Sequence, residues 1–173
     1  MIEIDGSQLE GGGQIVRLCL AIACIKKLPV RIVNIRAGRQ KPGLAAQHSE
    51  GVRLVNRISN GRLVGGEIGS CSLEFTPGNG QINQSYEADP KTAGSITMMA
   101  QISLPCVLQL TPTAENNTTE IFPVTLELFG GTNVTQSPPI DFYKHVLLPY
   151  LNHFGISAQL RYLSGCIAKL WHH

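Results

Sequence analysis

Apolar and polar positions along the chain switch repeatedly between a period of two and a period near 3.6 residues. Residues 1–5 alternate as a strand does, residues 14–27 are apolar almost all round as a buried helix is, and residues 30–36 form a β-branched run. Residues 44–60 then read as a helix, entered past Lys41-Pro42 and Gly43 and left at Asn60-Gly61, and residues 61–68 and 71–76 read as a hairpin. The order is β-α-β-α-β-β. It begins again with a strand at 84–88, a turn at Thr92-Ala93-Gly94-Ser95, an apolar helix over 95–104 limited by Pro105, and a strand over 124–129. Beyond Gly130-Gly131 and Pro138-Pro139, a helix carries the stripe Ile140, Tyr143, Val146, Leu147, Tyr150, Leu151 and Phe154, with Gly155 closing it. Ile156, Ala158, Leu160 and Tyr162 alternate as a strand, but the final SGCIAKLWHH follows no strand pattern.

The fold class expected is therefore α+β, built of tandem β-α-β-α-β-β units, the second incomplete: unit one over residues 1–80, unit two over 81–163, and a divergent tail over 164–173. A missing last strand would leave an open sheet edge, through which the chain could associate with a partner. Residues 111–120 (TPTAENNTTE) have no counterpart in the first unit and read as a loop insertion.

Composition narrows the class. With 43% hydrophobic and 15% charged residues among 173 and no Ser/Gly linker, the chain is globular. The start lacks a basic and apolar leader, and no apolar run reaches the roughly 20 residues of a membrane helix. A soluble, intracellular chain with no membrane partner is expected, nuclear in a eukaryote and cytoplasmic in a prokaryote. Five scattered cysteines fit neither a disulfide framework nor zinc spacing and read as buried, reduced thiols. Charge is uneven although the net is only +2: residues 1–62 hold ten of the fourteen Lys and Arg but four of the twelve acids. A polyanion could dock on that half.

The chemistry-bearing residues cluster there. Glu10 precedes three glycines that open a helix; its carboxylate could hold Mg²⁺ beside a nucleotide phosphate, or simply favour a helix N-terminus. The glycines match neither the dinucleotide nor the P-loop pattern. Arg17, in an otherwise apolar helix, needs an acid such as Asp5 or Glu10, or a phosphate. Arg36 and Arg39 flank a glycine after a strand, and with Lys41 favour phosphate contact over solvation. Gln47 and His48 lie early in the second helix, where His48 reads as a hydrogen-bonded core residue. Gln101, polar within an apolar helix, needs a hydrogen-bond partner, which a nucleotide, the backbone or water could supply.

With these residues in view, the chain resembles the RNA 3'-terminal phosphate cyclase family. The motifs are DGS (Asp5 to Ser7), EGGGQIVR (Glu10 to Arg17), IRAGRQKPGLAAQH (Ile35 to His48), GGEIGS (Gly65 to Ser70), FTPG (Phe75 to Gly78), KTAGS (Lys91 to Ser95) with Gln101, GGTN (Gly130 to Asn133) and SPPIDF (Ser137 to Phe142). The resemblance implies repeats that each hold a four-stranded sheet and two helices. It implies an ATP- and Mg²⁺- or Mn²⁺-dependent conversion of an RNA 3'-phosphate to a 2',3'-cyclic phosphate through a covalent enzyme-AMP. It assigns Glu10, Arg17, Arg39 and Gln47 to the catalytic set, Glu10 also to the metal and, with Gln101 and Pro138, to ATP, and Arg36, Arg39 and Lys41 to the RNA phosphate. The family's nucleophilic histidine has no counterpart here, so the chain alone is expected to be inactive as a cyclase. The alternative is a non-catalytic relative that binds RNA or nucleotide as a scaffold in RNA processing.

Overall fold

A computed structural model describes residues 1–9, 11–79, 83–109, 123–163 and 167–172, with the backbone alone for 162–163 and 167–172. Glu10, the insertion at 111–120 and Cys166 lie outside the described residues. The first unit runs β1 (Ile2–Asp5), α1 (Gly13–Lys26), β2 (Val30–Val33), α2 (Ala46–Ser59), β3 (Arg62–Val64) and β4 (Leu73–Thr76). The second runs β5 (Ser85–Ala88), α3 (Ile96–Leu108), β6 (Val124–Phe129), α4 (Ile140–Phe142), a π-helical turn (Tyr143–Leu147), α5 (Leu148–His153), β7 (Ala158–Leu163) and β8 (Ile167–His172).

Each unit folds into one four-stranded sheet, ordered β1-β2-β4-β3 and β5-β6-β8-β7. In both, the first pair is parallel and the other two antiparallel. The parallel pair in each requires a crossover, which α1 and α3 supply. The α+β expectation holds, but the missing strand does not. β8 pairs along all six residues with both β6 and β7, so it is an interior strand, and the second unit runs through it instead of ending at 163. Ladders on both sides specify such a strand by its backbone, so Ile167-Ala168-Lys169-Leu170-Trp171-His172 needs no clean alternation. The edge left open by its absence is instead covered, and β5 and β7 are the edges of this sheet.

Two further differences concern helices. α3 passes through Pro105 to Leu108 instead of stopping at 104. The last helix buries Ile140, Tyr143 and Leu148 but exposes Val146, Tyr150 and Phe154. The π-turn inserts a residue and rotates the face, so a stripe counted at 3.6 residues loses register beyond it.

One core joins the units. α3 lies against both α1 and α2, and Leu20, Leu54 and Ile58 of the first unit belong with Met99, Ile102 and Leu126 of the second to one buried cluster. Cys24 and Cys106 are buried thiols, as expected, whereas Cys19 is half-buried and Cys71 exposed. No helix among the described residues is long and apolar enough to cross a membrane.

Candidate functional site

A cavity of about 810 Å³ opens where the two units meet, lined from the first by Gly12, Gly13, Gln14, Arg17, Arg36, Gly38, Arg39, Gln47 and His48 and from the second by Met98, Thr135 and Gln136. The start of α1 forms part of its wall. Gly11 takes a left-handed φ of 55°, and Gly12, the residue before the helix, is extended and offers no capping side chain. Among the described residues no side chain caps the first-turn N–H groups. A Cβ on Gly12 would stand 3.2 Å from Nη2 of Arg39, and one on Gly13 would collide with the His48 imidazole.

Asp5 braces the chain leading to this turn. Its carboxylate accepts from Ser7 N at 2.9 Å, Ser7 Oγ at 2.7 Å, Gln8 Nε2 at 3.2 Å and Asn34 Nδ2 at 3.2 Å. These bonds, the Ser7 N–H first, lower its pKa to about 2. Asp5 is therefore not the acid that partners Arg17.

Arg17 is only 8% exposed and donates Nε to Oε1 of Gln101 at 2.8 Å. Burial pulls its pKa below the usual arginine range, the cost of holding charge away from water. Arg36 takes a left-handed φ of 53° and donates Nη1 to the Gly43 carbonyl at 2.7 Å, which ties the RAGR turn to the entry of α2. Burial and then the Arg39 charge depress Arg36 in turn. Among the described residues no carboxylate lies within ion-pair distance of Arg17, Arg36 or Arg39; the ion pairs are Arg31 with Glu3 and Glu74, Arg57 with Glu50, and Lys91 with Asp89. Lys41 is exposed and off the cavity wall.

Gln47 faces the cavity while bridging the units. Its Oε1 accepts from Ser95 N at 2.7 Å at the start of α3, and its Nε2 reaches Met98 Sδ at 3.4 Å. Gln101 lies off the cavity wall, and the Pro138 carbonyl is taken by Thr97 Oγ1 at 2.8 Å. The structure thus brings Arg17, Arg36, Arg39 and Gln47 together, with Gln101 behind Arg17, and leaves Lys41 and Pro138 outside.

His48 departs from the hydrogen-bonded core residue expected of it. It is buried, but among the described residues its Nδ1 finds no hydrogen-bond partner, and it lines the cavity. Burial first, then the charges of Arg17 and Arg36, lower its pKa to about 4, so it is neutral at pH 7. Thr135 and Gln136 were also missed; the left-handed φ of 62° at Gln136 is a tertiary feature with no signal in its residue type. For a metal, no group of three His, Cys, Asp or Glu residues stands together among the described residues. Glu10, the residue the resemblance assigns to the metal, is not one of them.

Known proteins share this chain's sequence closely. It is 43% identical to the RNA 3'-terminal phosphate cyclase of Drosophila melanogaster over 93% of its own length and 42% of the relative's. It is 42% identical to that of Thermococcus kodakarensis over 92% of its length and 43% of the relative's, and 44% identical to that of Trichormus variabilis over 93% and 45%. The chain thus spans less than half the length of these relatives. Residues 8–168 match the family model described as RNA 3'-terminal phosphate cyclase, and the chain belongs to that family.

Proposed function

We propose that the cavity receives the terminal phosphate of an RNA 3' end and aligns it for the family's ATP-dependent closure to a 2',3'-cyclic phosphate. The observation that carries this reading is Arg17, a residue only 8% exposed that lines the cavity without a carboxylate partner among the described residues. A buried cation without counter-charge costs several kcal/mol, so about that much is recovered when an anion enters. A terminal phosphate suits the vacancy: it brings close to two negative charges and three acceptor oxygens. Planar guanidinium forks and the uncapped N–H groups of α1 are the donors such an anion takes. ATP would supply the adenylyl group that activates the phosphate; this chain's own residues hold that phosphate and exclude water behind it.

The test is fluorescence anisotropy of a labelled RNA oligonucleotide ending in a 3'-phosphate or a 3'-hydroxyl. The chain should bind the phosphate form about tenfold or more tightly, worth roughly 1.4 kcal/mol, and Arg39→Ala should erase most of that margin. Equal affinity for the two ends would overturn the reading.

A further inference from the structure

We infer that Cys24 and Cys106 form an oxidisable pair: a peroxide joins them in a disulfide that staples α1 to α3 across the unit boundary, and a thiol reductant reopens it. The site is a covalent modification of the core and stands independently of the phosphate reading above.

Cys24 lies near the end of α1 and Cys106 near the end of α3, two helices that pack on each other within one buried cluster. The bond from Arg17 Nε to Gln101 Oε1 at 2.8 Å sets the register between these helices. Counted from it, Cys24 lies seven residues on, about 10 Å along α1, and Cys106 five residues on, about 8 Å along α3. Both sulfurs thus come to nearly one level, and the two thiols share a hydrogen bond. Contact between the sulfurs is the geometric condition for a bridge.

The pair is asymmetric. Cys24 is 8% exposed and Cys106 only 1%, so a small oxidant meets Cys24 first. The shared hydrogen bond outweighs burial and, with the Lys27 charge, holds the Cys24 thiol below its usual range; the same bond and burial push Cys106 up. Cys24 is therefore the thiolate that attacks. Cys106, whose Sγ donates to the Ile102 carbonyl at 3.2 Å, is the thiol that resolves. In the first step the Cys24 sulfur takes one oxygen of the peroxide: an S–O bond forms, the O–O bond breaks, and the other oxygen leaves as water once protonated. In the second the Cys106 sulfur displaces that hydroxyl: the S–S bond forms, the S–O bond breaks, and the Cys106 proton leaves with the hydroxyl as a second water. Two thiols are oxidised while hydrogen peroxide is reduced to two waters. The bridge closes a long loop from the first unit to the second, which restricts the unfolded chain most.

The experiment treats the full chain carrying Cys19→Ala, Cys71→Ser and Cys166→Ser with hydrogen peroxide, read by intact mass, a non-reducing peptide map and thermal melting. The mass should fall by about 2 Da for the two hydrogens lost, and melting should rise by about 5–10 °C until dithiothreitol reverses it. The map should join the Cys24 and Cys106 peptides. With Cys106→Ser added, the mass should instead rise by about 16 Da, a sulfenic acid stranded on Cys24 and captured by dimedone. The mass and map of the parent chain decide the matter even where that variant does not fold. A parent chain that only gains oxygen would overturn the inference. So would one that bridges in urea but not in its folded state, or one whose bridge lowers the melting temperature.

Discussion

Gly13 and His48 show how one residue's absence of a side chain makes room for another's. The imidazole fills the space a Cβ on Gly13 would need, at the point where α1 faces the cavity. Gly13→Ala should therefore push the ring aside and cost about 1–3 kcal/mol of stability in urea unfolding. The same burial makes His48 a pH-sensitive residue. Its folded pKa of about 4 lies below the unfolded value of 6.5, so the folded state binds fewer protons between them. Its stability contribution is whole above pH 6.5 and is lost as pH falls toward 4, on the order of 3 kcal/mol in all. Asp5, depressed to about 2, acts only below the ordinary carboxylate range, which separates the two windows. Urea midpoints at pH 7 and pH 4.5 should differ markedly in the wild type and much less in His48→Gln. A variant with an unchanged slope would show that His48 does not carry this dependence. Residue chemistry was partly legible in the sequence: Arg17 in an apolar helix demanded a partner. The partner itself, an amide 84 residues away, belongs to the packing of α1 on α3, which no local pattern encodes.

Elements whose specification is local were read well, and those specified by neighbours were not. α1, α2 and β6 follow from periodicity and glycine or proline boundaries. β8 does not, because two flanking ladders impose extended backbone on a mixed sequence. The π-turn at Tyr143–Leu147 likewise shifts the helix face so that Ile140, Tyr143 and Leu148 reach the core together. The interior place of β8 carries a consequence. Deleting residues 164–173 would remove the strand between β6 and β7 and strand the latter without a partner. A chain ending at residue 163 should lose cooperative thermal melting and much of its strand signal in circular dichroism. Melting within a few degrees of the full chain would mean that β8 contributes little to the second sheet.

At the scale of the whole molecule, the candidate cavity and the unit boundary coincide. The charge imbalance of the first half was visible in sequence, but not that the second unit closes the site with Met98, Thr135 and Gln136. Two of the bonds that bridge the units, Gln47 to Ser95 and Arg17 to Gln101, start from residues of the cavity wall, so folding and site assembly draw on shared contacts. A core continuous across the boundary should make the two units unfold together. With the other cysteines replaced, the buried thiol of Cys106 on α3 reports on the second unit by its reactivity, and that of Cys24 on α1 reports on the first. Their urea transitions should coincide. A 3'-phosphate RNA bound in the shared cavity should move both midpoints by one amount, about 2.7 kcal/mol at a hundred times its Kd. Separate transitions, or a shift confined to Cys24, would mean that the phosphate is held by the first unit alone and that the second merely packs against it.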